Sequence, residues 1–149
     1  MIYEIVEDEL MGRVTTPIRV ENLKDLWKAE NQLIAAEQVR SIDVMNALVD
    51  TGASTLSLPK RIIEHLGLQK VGERTVVTTT GISKTNKYEA VRLTIMGRDC
   101  TVDVLEVPDS VPVLVGQVPL ELLDLVVNPS AGKLTGNPEH GGEHVLELL

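Results

Sequence analysis

Ala47-Leu48-Val49-Asp50-Thr51-Gly52-Ala53-Ser54 is the stretch on which the fold turns. An apolar strand, residues 39–49, delivers one carboxylate to its end, and a glycine follows two residues later. A lone Asp at a strand end ordinarily buttresses a turn. Three further features favour chemistry. Thr51 is a small hydroxyl able to bond backbone nearby or across an interface. Gly52 lets the loop fold tightly enough for amide N–H groups to point at the carboxylate. A distant apolar-apolar-Gly element, Leu114-Val115-Gly116, can pack beside the loop.

Working outward, β-branched and aliphatic residues predict further strands. Residues 11–20 read as a strand with Pro17 at a tolerant or edge position. Residues 22–31 read as a helix capped by Asn22, with Asp25 at its third position and Leu23, Leu26 and Trp27 on one face. Residues 33–38 either extend it or form a second short helix. Pro59 opens a helix that presents Ile62, Ile63 and Leu66 and ends at Gly67. A long hairpin follows, with arms at 74–80 and 87–96 around a polar tip at 81–86. Val91, Leu93 and Ile95 alternate with Arg92 and Thr94, giving the second arm one buried face. Residues 97–99 turn the chain into a strand at 100–107. After the apolar run 111–115, Pro119 starts a short helix through Leu123. Residues 125–127 and 133–135 bracket the turn-rich 128–132, and a polar, then apolar tail closes the chain. The expectation is one mostly-β domain over 1–149, with its core at about 11–138.

The order and spacing of these parts resemble the retropepsin-like aspartic proteases. That family's signature is Asp-Thr-Gly-Ala or Asp-Thr-Gly-Ser after an apolar pair, then an apolar-apolar-Gly triplet and a short helix. Leu48-Val49-Asp50-Thr51-Gly52-Ala53, Leu114-Val115-Gly116 and residues 119–123 match in order. The hairpin 74–96 falls where the family places its substrate-covering flap. The similarity extends to bacterial retropepsin-like proteins of about this length, through Leu58-Pro59 and Gly116-Gln117-Val118-Pro119-Leu120. It implies a closed acid-protease barrel with one or two short helices, and an aspartic endopeptidase activity.

That chemistry uses two carboxylates sharing one proton around a water. The chain has a single Asp-Thr-Gly, so the resemblance implies a symmetric homodimer with Asp50 of each copy on the axis. It assigns catalysis to Asp50, a brace across the axis to Thr51 and a carboxylate-facing amide to Gly52. Substrate contacts fall to Ala53 and to the flap tip, residues 79–84, through Thr79, Thr80, Gly81, Ile82 and Ser83. Leu114, Val115 and Gly116 support the loop. Ala53 cannot give the carboxylate the extra hydrogen bond of a serine, so a dyad working at mildly acidic to neutral pH is expected. Gln117 stands where many retroviral relatives carry an Arg brace, and residues 22–38 exceed a minimal retropepsin and could reshape the cleft rim or dimer contact. The rival readings are a non-catalytic dimer of this fold that binds extended peptides, and an interaction module using the apolar tail or the Trp27 helix.

Composition excludes other classes. Lys plus Arg number 14 against 22 Asp plus Glu, a net charge of −8 that repels phosphate backbones. Aromatic residues are 2%, too few to stack bases, so nucleic acid is not an expected partner. No apolar run approaches a membrane span. The acidic start, with Glu4, Glu7, Asp8 and Glu9, reads as a solvated end and not as a signal peptide. The single Cys100 excludes an internal disulfide framework, suits a cytoplasmic setting and reads as a buried, inert thiol. His65 reads as a structural complement to its helix dipole. His140-Gly141-Gly142-Glu143-His144 reads as a solvated tail, because the glycine pair opposes the helix a zinc peptidase requires. No metal or organic cofactor is implied.

Overall fold

The computed structural model describes residues 13–148. The acidic segment at residues 4–9 lies outside them. The elements are β1 (Val14–Asn22), α1 (Leu23–Glu30), β2 (Ser41–Val49), β3 (Leu56–Pro59), α2 (Lys60–Leu66), β4 (Lys70–Thr78), β5 (Gly81–Ile95), β6 (Arg98–Val107), β7 (Leu114–Val115), α3 (Gln117–Leu123), β8 (Leu125–Asn128) and β9 (Lys133–Gly136). Single 3-10 turns occupy Ala36–Gln38 and Pro138–His140. The fold is mostly β with three short α-helices among the described residues.

One sheet carries the order β1-β2-β7-β3-β6-β5-β4, and β1 pairs back onto β5, so the pairings run in a ring with β4 outside it. Strict alternation sets the inner face of β1, where Val14, Thr16, Ile18, Val20 and Asn22 are buried and the intervening side chains are more exposed. Leu56, Leu58, Leu93, Val104 and Val115 fill the interior, where the buried hydrophobic side chains are all aliphatic. Pro17 sits at a bulge: the β1–β2 register slips between Thr16 and Ile18, so its missing N–H breaks no ladder.

Asn22 caps α1 as expected, its Oδ1 accepting from the Asp25 N–H at 3.0 Å. Its Nδ2 also donates to the Leu66 carbonyl at 2.8 Å, which ties α1 to the end of α2. The apolar face drawn for α1 is not its anchor, since Trp27 is 58% exposed. Asp25 is the anchor: it is buried and accepts from Arg40 through N, Nε and Nη2 at 2.7–3.0 Å. The Arg40 hydrogen bonds hold its carboxyl below the usual carboxylate range. Its contribution is therefore complete above that range and is lost as the pH falls through the lowered value. Asp25→Ala should cost about 2 kcal/mol, because it removes a charge-assisted pair whose arginine half water can still reach. Urea denaturation near pH 6 measures it, and the deficit should shrink toward pH 3.

Residues 22–38 do not border Asp50. β1 and β2 are antiparallel with Glu21 opposite Ser41 and Val14 opposite Val49, so α1 leaves at the far end of β2 from Asp50. One strand length, about 25 Å, separates them. The long hairpin also differs from its sequence reading. Residues 81–86 are not a loop but the start of β5, paired from Gly81 opposite Thr78 to Asn86 opposite Glu73. Only Thr79 and Thr80 turn the chain. The next reversal uses Met96 (φ 52°) and Gly97 (φ 76°) between paired Ile95 and Arg98, a two-residue turn that needs positive φ at both positions.

Candidate active-site loop

Asp50 is half-buried at the end of β2, where Thr51 and Gly52 are exposed. The two-residue β7 lies between β2 and β3, parallel to the first and antiparallel to the second. The chain from 50 to 55 must therefore arch over the point where β7 ends. Its first turn closes with the Ala53 N–H on the Asp50 carbonyl at 3.0 Å. Within it the Gly52 N–H donates to Asp50 Oδ1 at 2.9 Å, and a Cβ on Gly52 would lie only 3.2 Å from that oxygen.

The far side of the arch rests on the start of α3. The N–H groups of Gly116, Gln117 and Val118 donate to the carbonyls of Thr55, Ala53 and Ser54, each at 2.9 Å. The first amides of a helix have no partners inside it, and here the loop's carbonyls satisfy them. The Asp50 N–H donates to the Val115 carbonyl at 2.9 Å, continuing the β2–β7 ladder into the loop. Thr55 Oγ1 donates to the Asp103 carbonyl at 2.9 Å and fixes the arch to β6. Asp50 thus stands on a rigid frame with a backbone donor on its carboxylate.

The expected residues fall into two groups. Asp50, Thr51, Gly52 and Ala53 form the loop, and Leu114, Val115 and Gly116 lie directly beneath it. Thr79, Thr80, Gly81, Ile82 and Ser83 form a second group at the end of the β4–β5 hairpin. There Thr78 Oγ1 donates to the Gly81 carbonyl at 3.1 Å, and no hydrogen bond among the described residues joins this tip to Asp50. Val77 and Ile82, paired across the hairpin, are 81% and 77% exposed.

Gln117 is no brace between loops: its side chain donates to Glu121 Oε1 on its own helix at 3.1 Å. Cys100 is half-buried, and burial pushes its thiol up to about 11, which suits an inert group. The tail is not merely solvated. His140 Nδ1 lies 2.6 Å from Asp124 Oδ2, and His144 Nε2 lies 3.0 Å from the Leu122 carbonyl, so the two histidines serve different partners. Among the described residues no group of three His, Cys, Asp or Glu could hold a metal ion. No helix among them is long and apolar enough to cross a membrane.

Sequence reasoning missed Asp124. It ends α3 in the left-handed conformation (φ 55°), a position that favours Gly or Asn. An Asp directly after the leucine-rich Leu120-Glu121-Leu122-Leu123 was the available signal.

A sequence model described as aspartyl protease matches residues 38–118, just over half of the chain and the whole path from β2 to the first turn of α3. No curated protein matches the chain.

Proposed function

The chain belongs to the retropepsin-like aspartyl protease family, and from that premise we propose that it is a homodimeric aspartic endopeptidase whose catalytic dyad pairs Asp50 of one protomer with Asp50 of its partner. The observation that carries this reading is the Asp50 loop itself, whose carboxylate accepts the Gly52 N–H and whose carbonyls at 53–55 are held by the amides of Gly116, Gln117 and Val118 at the start of α3. Thr51 and Gly52, exposed on the single chain, are the surface that a twofold partner would cover. The ring of strand pairings is read as the closed barrel that carries this loop at one end.

Two such carboxylates brought together cannot both ionise, so the dyad holds one proton and titrates as a pair, as is general for such dyads. The ionised member takes a proton from a water held between them. The protonated member donates to the carbonyl oxygen of the scissile bond. Attack gives a tetrahedral diol, and proton return to the amide nitrogen releases the amine product. Gly52 N–H keeps one oxygen of each carboxylate oriented throughout. Thr79, Thr80 and Gly81, with Ile82 and Ser83, supply the backbone edge that lies along an extended peptide as an added strand does. Ala53 contributes no further donor to the carboxylate, in keeping with action at mildly acidic to neutral pH. A single cysteine suits a cytoplasmic site of action.

The test is cleavage of a diverse peptide library by the purified protein from about pH 4 to 7, read by mass spectrometry beside Asp50→Asn. Cuts made by the wild type alone establish the activity and its subsite preferences. No cuts from a confirmed dimer would favour a peptide-binding module, and a strict monomer at high concentration would refute the dyad.

A further inference from the structure

The carboxylate of Asp124 gathers three separate parts of the C-terminal chain. Oδ2 lies 2.6 Å from His140 Nδ1 and accepts the Val145 N–H at 3.1 Å, while Oδ1 accepts from Asn137 Nδ2 at 3.3 Å. The backbone is drawn in with it: Gly136 passes so close to Gly142 that a Cβ there would collide with the Gly142 carbonyl oxygen. Arg98 of β6 donates to the Leu123 and Asp124 carbonyls at 2.9 Å and to that of Gly142. A groove of about 480 Å³ runs beside α3 and β8, and Val145 and Leu146 form one of its walls.

We propose that Asp124 and His140 form a pH-sensitive latch that holds residues 141–148 against the end of α3. Every charged group facing the imidazole bears on its sign. Asp124 approaches from the end of α3, and Glu147, on the held segment, places Oε1 3.7 Å from Nε2. Glu121 of α3 lines the same groove, and Glu139 and Glu143 flank the ring along the chain. Arg98 is the cation on this side, and its guanidinium is engaged with backbone carbonyls. His144 stands apart, on the Leu122 carbonyl. The balance favours the imidazolium, and the hydrogen bond to Asp124 raises the His140 pKa above its ordinary value.

The sign follows from linkage. A raised histidine makes the latch fully formed below the ordinary imidazole pKa, about 6.5, and weakens it as pH rises through the raised value. Burial pulls the Asp124 pKa upward, but the hydrogen bonds from His140, Val145 and Asn137 together outweigh it and lower the carboxyl, so the lower limit of the window lies beneath the usual carboxylate range. Each unit by which His140 is raised strengthens closure about tenfold. Opening removes the Val145–Leu146 wall of the groove.

The test uses the full-length protein and needs no peptide cleavage. The His140 ring is titrated by NMR from pH 5 to 9, and exchange of the Val145 amide is followed with correction for its intrinsic pH dependence. The expected result is a His140 midpoint above about 6.5 and a fall in Val145 protection across it, about tenfold for each unit by which the measured midpoint exceeds that value. In His140→Gln that pH step should vanish, while protection of the Val91 and Leu93 amides reports an intact core. A His140 midpoint at or below the ordinary value would overturn the latch. So would Val145 protection that is the same at pH 5 and pH 9, or a step that persists in His140→Gln.

Discussion

Gly116→Ala should lower the melting temperature by about 6–12 °C, the equivalent of about 3 kcal/mol for a chain of this size. Gly116 has φ −89° and ψ −172°, extended values open to any residue, so alanine meets no backbone penalty there. The obstacle is space. An added Cβ would lie 2.6 Å from the carbonyl oxygens of both Ala53 and Thr55 and 2.8 Å from the Ala53 carbonyl carbon. Those are backbone atoms held by the amides of Gln117 and Gly116, and neither can rotate away as a side chain can. Relief requires lifting the 53–55 arch, which stretches the three 2.9 Å bonds beneath it, each worth about 1 kcal/mol. The control is Gly132→Ala. There φ is +64° with open space around the position, so only the conformational cost of about 1 kcal/mol applies. Differential scanning calorimetry separates the two. Equal small shifts in both variants would mean that the arch yields freely and is not the rigid support described above. Because the arch carries Asp50, Gly116→Ala should also reduce any peptide cleavage more than its stability loss explains.

What the sequence disclosed, and what it hid, follows from how far apart the interacting residues lie. The Asn22 cap was legible because it is a local event, one side chain meeting the amide three residues on. The α2 stop at Gly67 was equally local, a positive φ of 65° at the end of an apolar face. The Asp50 loop and its partner triplet were legible as a motif, although nothing in the residues alone said that the α3 amides would take up the carbonyls of 53–55. The hairpin tip was misplaced for a different reason. Residues 81–84 are solvated on both faces, so the polar run carries no apolar alternation to mark it as strand. What holds α1 was not legible because Asp25 is buried through a partner fifteen residues away, a pairing that no periodicity displays. Asp124 was hidden most fully. Its partners, Asn137, His140 and Val145, lie in a tail whose composition alone reads as solvated.

Asp50→Asn should reduce cleavage by about three to four orders of magnitude while leaving the fold intact. Asparagine preserves the shape of the side chain and an oxygen for the Gly52 N–H, now 2.9 Å from Asp50 Oδ1, but it can neither take a proton from water nor give one to the substrate. A more discriminating result comes from mixing. If each site is built from two Asp50 carboxylates, a dimer with one wild-type and one variant subunit lacks half of the dyad. Activity should then follow the square of the wild-type fraction: an equal mixture allowed to exchange subunits retains about a quarter of the rate at constant total protein. A site complete within one chain would retain about half, because each wild-type subunit would work alone. The quadratic dependence requires subunit exchange, which mixed-mass native spectrometry of labelled protein can follow in the same samples. A linear dependence in a fully exchanged mixture would place both catalytic groups on one chain and remove the partner's Asp50 from the mechanism. The sequence makes that outcome hard to accommodate, since it holds one Asp-Thr-Gly and the frame of β7 and α3 supports one such loop.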